Sequence, residues 1–148
     1  MTEISLSRTI AAPRNEVFAR LSDFPKAAET ISAITRIEML TEGDVGVGTR
    51  FKETRKVFGR EATEEMEVTR FDPPRSYTLE AESHGAHYVS TFTLEETSDG
   101  TEVELVFRAT PLTLLAKFMS FLTKPMMRKA MQECAKDLED VARSFEAG

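Results

Sequence analysis

The stretch RFKETRKVFGREATEEMEV, residues 50–68, alternates apolar and polar positions around a Phe58-Gly59 turn, the period-two pattern of a β-hairpin. Folding residues 50–57 onto 60–67 sets Phe51 opposite Met66, Glu53 opposite Glu64 and Arg55 opposite Ala62. The apolar face therefore also carries Glu53, Arg55 and Glu64. On the other face Lys52 meets Glu65 and Lys56 meets Glu61. Such exposed cross-strand pairs contribute about a few tenths of a kcal/mol each and serve solubility.

The neighbouring hairpins agree with this register. A turn at Pro73-Pro74 sets Val68 against Leu79 and Met66 against Ala81, and one at His84-Gly85 sets Ala81 against Tyr88 and Leu79 against Ser90. A turn at Asp99-Gly100 sets Leu94 against Val103 and Phe92 against Leu105. All four hairpins keep the apolar set on one face, and a one-residue slip in any of them would scatter it. Short turns at this spacing predict an antiparallel meander.

Outside the meander, EISLSRTI places Ile4, Leu6, Arg8 and Ile10 on one face of a half-buried strand. Ala11-Ala12-Pro13 ends that strand, and Val17, Phe18 and Leu21 then share one helical face. Pro25 closes this helix, a second short helix is expected over about 25–31, and a strand follows around Ile34, Ile37 and Met39, with GDVGVG at 43–48 as a loop. Near the C-terminus Met127, Met131, Cys134, Leu138, Val141 and Phe145 make a continuous apolar stripe on a helix. Upstream, LTLLAKFMSFL is apolar over much of its circumference, so Pro125 marks either a kink in one helix or a break between two.

Composition sets the class. The 148 residues, 41% hydrophobic and 30% charged, suit one domain spanning 1–148 with a single core. A net charge of −6 argues against general affinity for nucleic acid or anionic membranes. No apolar run approaches the roughly 20 residues that cross a bilayer, so stable membrane insertion is not expected. Cys134 is the only cysteine and the first residues lack a signal-peptide layout, which fits a cytoplasmic protein.

The order of strand, two short helices, six-strand meander and long terminal helix resembles the START-like, helix-grip superfamily. The likeness is to its bacterial polyketide cyclase/dehydrase and lipid-transport (SRPBCC) branch. It is carried by SRTIAAPRNEVFARLSD at 7–23, VGVGTRF at 45–51, VTRFDPPRSYTL at 68–79 and FTLEETSDGTEVEL at 92–105, completed by the terminal helix. The resemblance implies an α+β fold in which a curved seven-stranded antiparallel sheet grips the C-terminal helix around a cavity for apolar molecules. Some relatives cyclise or dehydrate a substrate, some carry ligands and others act as protein partners. One departure is the absence of tryptophan: ETISAIT, residues 29–35, stands where many relatives place one.

Three uses of this scaffold follow. In the first, the protein binds a hydrophobic or amphipathic small molecule, without a required cofactor, metal or nucleotide. Tyr77, Leu79, Tyr88, Ser90, Phe92 and Phe107 line the site, with Met66, and Met127 and Met131 close it from the helix. Arg8, Glu53, Arg55, Glu64 and a further inward Arg70 supply its polar end, or alternatively form a solvated ion-pair cluster at the rim. Apolar burial at roughly 25 cal/mol per Å² allows about micromolar affinity once ordering costs are subtracted, in a cavity expected to be about a few hundred Å³. In the second use, a cyclase/dehydrase-type enzyme employs Glu53 or Glu64 as acid or base, since two opposed carboxylates raise each other's proton affinity. In the third, the 112–131 region, with Phe118, Met119, Phe121 and Met126, docks a protein partner or a second copy as a homodimer.

The remaining candidates are bland. His84 and His87 in HGAH lack further ligands for zinc, although His84 could line a cavity mouth. Cys134 lies within the helix stripe and reads as a buried structural thiol.

Overall fold

The computed structural model describes residues 2–57, 59–83, 85–113 and 124–146. The expectations placed on Phe58, His84, Phe118, Met119 and Phe121, and on the side chains of Met126 and Met127, lie outside the described residues. So do residues 114–123 of the 112–131 region.

Seven strands form one antiparallel sheet: β1 (Thr2–Ile10), β2 (Ile34–Met39), β3 (Arg50–Val57), β4 (Arg60–Asp72), β5 (Ser76–Ser83), β6 (Ala86–Thr97) and β7 (Gly100–Pro111). Their order is β1-β7-β6-β5-β4-β3-β2, so the meander runs unbroken and β1 adds to its last strand. Helix α1 (Arg14–Leu21) starts directly after Pro13, which serves as its N-cap. A 3-10 turn (Phe24–Lys26) and α2 (Ala27–Thr30) follow. The C-terminal helix α3 (Lys124–Glu146) carries Pro125 in its first turn, where a missing N–H costs nothing.

The register follows the hydrophobic alternation. Phe51 pairs with Met66, Glu53 with Glu64 and Arg55 with Ala62; Val68 pairs with Leu79, Leu79 with Ser90 and Phe92 with Leu105. Three expectations are corrected. The register shifts by one residue between Val68 and Arg70, a β-bulge that reverses which side chains face inward. Phe71 consequently joins the core and Arg70 is exposed. The β4–β5 ladder begins at Glu67 opposite Glu80, so Met66 and Ala81 are not paired; both line a surface cleft of about 540 Å³ between the two strands. On the outer face Glu65 forms its ion pair at 2.9 Å with Arg50 and not with Lys52, because the longer guanidinium reaches diagonally across the ladder.

Ile10, Phe51, Val68, Tyr77, Leu94 and Val103 are at most 2% exposed and form the centre of the core. Phe18 and Phe24 from the α1 end seat on it: Tyr77 stacks on Phe92 with centroids 4.7 Å apart, and Phe24 stacks on Phe51 at 4.7 Å. From α3, Met131, Leu138 and Val141 of the expected stripe are buried together with Ala142, while Cys134 and Phe145 are half-buried. At the β6–β7 turn, Gly100 has φ +132°, and a Cβ there would collide with the Ile10 carbonyl oxygen. Only glycine combines that backbone with so close an approach.

Candidate functional site

Alternation alone would place three charged residues of β3 and β4 on the inner face, and α3 meets one of them, Arg55, with a charge of its own. Arg55 donates from Nε and Nη2 to Glu53 Oε1 at 2.8 and 2.6 Å, and from Nη2 to Asp137 Oδ2 at 2.9 Å. Glu53 is buried and the side chains of Arg55 and Asp137 are only 22% and 15% exposed. One strand and one helix thus share an interior triad with two carboxylates for one guanidinium.

Further polar contacts hold α3 in place. Arg8 on β1 binds Glu139 at 2.9 Å, the Ser32 hydroxyl and amide donate to Asp140 at 2.9 and 3.0 Å, and Arg20 donates to Ser144 at 2.9 Å. Arg20 also lies over the Phe145 ring, 3.7 Å from its centroid. Helix α3 is therefore tied to β1, β3, α1 and the segment after α2.

Beside the triad is a cavity of about 90 Å³. Tyr77, Leu79, Phe92 and Leu105 form its sheet wall, Phe24 and Ile34 close the α2 end, and Cys134, Asp137, Leu138 and Val141 form the helix wall. Glu53 and Arg55 are the only charged groups that the sheet contributes to its lining, among the described residues. This enclosed space is smaller than the few hundred Å³ expected.

Moving along the sheet, the inner face stays apolar but is less covered. Met66, Leu79, Tyr88, Ser90 and Phe107 are all half-buried, and Tyr88 stacks on Phe107 with centroids 5.7 Å apart. Glu64 is half-buried beside them and accepts a 3.0 Å hydrogen bond from Ser83. The inner face thus grades from a closely packed end near the buried Tyr77 to a partly covered end near Tyr88.

The low-dielectric surroundings shift the ionisable groups. Burial pushes the Asp137 carboxyl up to about 6, against the opposing pull of Arg55. Burial likewise lifts the Cys134 thiol to about 11, helped by Asp137. Burial works against the charge of Arg55, yet Glu53 and Asp137 more than offset it, so the guanidinium is held protonated even more firmly than usual. Burial, then Glu53, raises the Tyr77 phenol. At neutral pH the chain therefore offers the cavity a fixed cation, two carboxyl groups and two neutral groups, the phenol and the thiol.

Of the expected site residues, Glu53, Arg55, Tyr77, Leu79 and Phe92 line this cavity together, while Met66, Tyr88, Ser90 and Phe107 extend along the partly covered face. Glu64 lies on that face, directly across the ladder from Glu53. Arg8, 41% exposed, sits at the β1 edge on Glu139 and does not line the cavity. Met131 is buried but outside the lining. Asp137 was missed from sequence, although a signal was present: it lies three residues after Cys134 and four before Val141, so it is a charge set inside the apolar stripe. Among the described residues no cluster of His, Cys, Asp and Glu could hold a metal ion, and no helix is long and apolar enough to cross a membrane.

A family model described as polyketide cyclase / dehydrase and lipid transport matches residues 1–146. Solved structures share the fold at low identity. TTHA0849 from Thermus thermophilus superposes with a TM-score of 0.75 at 17% identity, covering 97% of this chain and 99% of its own. Ara h 8.0201 gives 0.76 at 16%, covering 99% of each chain. The di-domain ARO/CYC protein StfQ from the steffimycin biosynthetic pathway gives 0.77 at 12%, and there this chain, covered over 99%, corresponds to 52% of the larger one. No curated protein matches the sequence.

Proposed function

The chain belongs to the polyketide cyclase / dehydrase and lipid transport family, and from that premise we propose that it binds a hydrophobic or amphipathic small molecule between the inner sheet face and α3. The observation that carries this reading is the graded inner face. A sheet whose inward side is apolar at Met66, Leu79, Tyr88 and Phe107 and yet only half covered retains apolar surface for a partner to bury. The triad sits where that face meets the closed core, so a bound molecule places its polar end there and its apolar body along Leu79, Ser90 and Phe107. The 90 Å³ cavity is well below the roughly 300–1,000 Å³ of a typical ligand pocket, room for a head group and not for a whole ligand.

A fluorescence titration with the apolar probe N-phenylnaphthylamine tests this. Saturable, blue-shifted emission with a Kd of about micromolar is expected, and it should disappear in Ser90→Trp, whose indole would fill the space between Leu79 and Phe107. Absence of saturable binding, or binding indifferent to Ser90→Trp in a folded variant, would count against the reading.

An enzymatic role in cyclisation or dehydration draws on one observation, the elevated proton affinity of Asp137. A carboxyl poised near neutral pH is suited to proton transfer. Glu53 takes two bonds from Arg55 and Asp137 one, so in this reading Asp137 joins Glu53 and Glu64 as a candidate acid or base. Turnover of a poly-β-keto substrate that survives Asp137→Asn would remove that support.

A further inference from the structure

The hydrogen-bonding inventory of the triad is incomplete on one side. Arg55 directs its contacts to Glu53 Oε1 and Asp137 Oδ2. Asp137 Oδ1 is buried and has no hydrogen-bond partner among the described residues, while its side chain forms part of the cavity wall. A buried acceptor without a donor is unfavourable, and more so when charged. Two carboxylates against one guanidinium also leave one negative charge in excess, and neither Tyr77 nor Cys134, both held neutral, compensates it.

We infer that the polar end of this cavity selects ligands whose head is a hydrogen-bond donor, a hydroxyl or a protonated amine, and rejects carboxylate heads, with the Asp137 carboxyl as the receiving group. The inference rests on the binding proposed above and narrows its ligand class. A hydroxyl or ammonium donates to the Asp137 carboxyl in the cavity wall and keeps Arg55 bonded to both its partners. A carboxylate head would meet Asp137 and Glu53 at close range in a low-dielectric site. It would have to take Arg55 from them, leaving their charges unpaired, and such repulsive elements set specificity as strongly as attractive ones. The cavity's small volume admits the head and little else, so discrimination falls on head chemistry, and the half-buried apolar face accepts the chain.

Decanol, decylamine and decanoate, which share one apolar chain, are compared by displacement of N-phenylnaphthylamine at pH 7.5. Decanol and decylamine should each bind at least about tenfold more tightly than decanoate. Asp137→Asn should bring the alcohol-to-acid ratio toward unity, whereas Glu42→Gln, the same charge change at an exposed loop position, should leave it unaltered. Decanoate binding as tightly as decanol to the wild-type protein overturns the inference while the binding reading stands, and this comparison needs no variant to fold. A ratio unmoved by Asp137→Asn, or moved equally by Glu42→Gln, also overturns it. If the probe binds and none of the three ligands displaces it, the inference fails alone; if the probe itself does not bind, both fail.

Discussion

Arg55 and Asp137, 82 residues apart in sequence, meet at 2.9 Å inside the protein. This bond fastens the C-terminal helix to the third strand at the point where the packed core gives way to the partly covered inner face. Among the described residues it also makes the guanidinium the one cation bonded to two carboxyl groups, Glu53 buried and Asp137 largely so.

Arg55→Met should therefore be among the most damaging single changes. It leaves Glu53 and Asp137 facing each other without a cation, and breaking a buried ion pair from one side costs about 3–5 kcal/mol. Urea denaturation should show a matching loss. Adding Glu53→Gln and Asp137→Leu should restore most of it, because the carboxylates then no longer need the cation. No recovery in the triple variant would mean that Arg55 acts through packing of its stem.

The Asp137 carboxyl gives stability a specific pH dependence. Its folded-state value, about 6, lies above the ordinary 3.8, so between these values the folded state binds more protons than the unfolded state. The contribution is fully present below about pH 4 and is lost as pH rises through 6, by about 3 kcal/mol at most. Arg55, Glu53 and Asp140 are the neighbouring groups that act on it. The difference in unfolding free energy between wild type and Asp137→Asn, followed from pH 4 to 8, should shift in favour of the variant as pH rises. A difference that is flat across this range contradicts the assignment.

The register of all four hairpins was legible because each has an apolar face that a one-residue slip would expose. The bulge at Thr69 was not. An extra residue between Val68 and Phe71 preserves an apolar residue at each end, so strict alternation carried Arg70 inward on paper when the chain turns it out. Glu53 and Arg55 could be placed on the buried side, since strand parity decides that, but their depth could not, because it depends on how far α3 descends. Asp137 stayed hidden for a related reason. A lone charge beside an apolar stripe is read as the stripe's edge until its partner is known, and Arg55 comes from a distant strand.

Cys134, half-buried in the cavity wall, should behave as a protonated thiol. With its pKa pushed up to about 11 by burial and then by Asp137, little thiolate is present at pH 8. Ellman's reagent should label it far more slowly than a free thiol, and the rate should rise to the ordinary value in urea. Decanol should slow it further, since Cys134 lines the cavity. Fast labelling of the native protein would show that the cavity wall opens readily.

Gly100→Ala should cost about 1–3 kcal/mol, through the positive φ and the clash with Ile10. Gly46→Ala, with open space around it, should change stability by about 0.5 kcal/mol or less. Thermal denaturation of the two variants, side by side, separates backbone strain from a generic effect of losing glycine.

The central claim, that a small molecule binds between the inner sheet face and α3, is tested most directly by nitrogen–proton correlation NMR of the labelled protein titrated with decanol. Saturable shifts should concentrate at Leu79, Tyr88, Ser90 and Phe107 on the sheet and at Cys134, Asp137 and Leu138 on the helix, with the outer-face residues Lys52, Glu65 and Glu67 unmoved. No saturable shift at these positions, or shifts spread over the outer face, would contradict it.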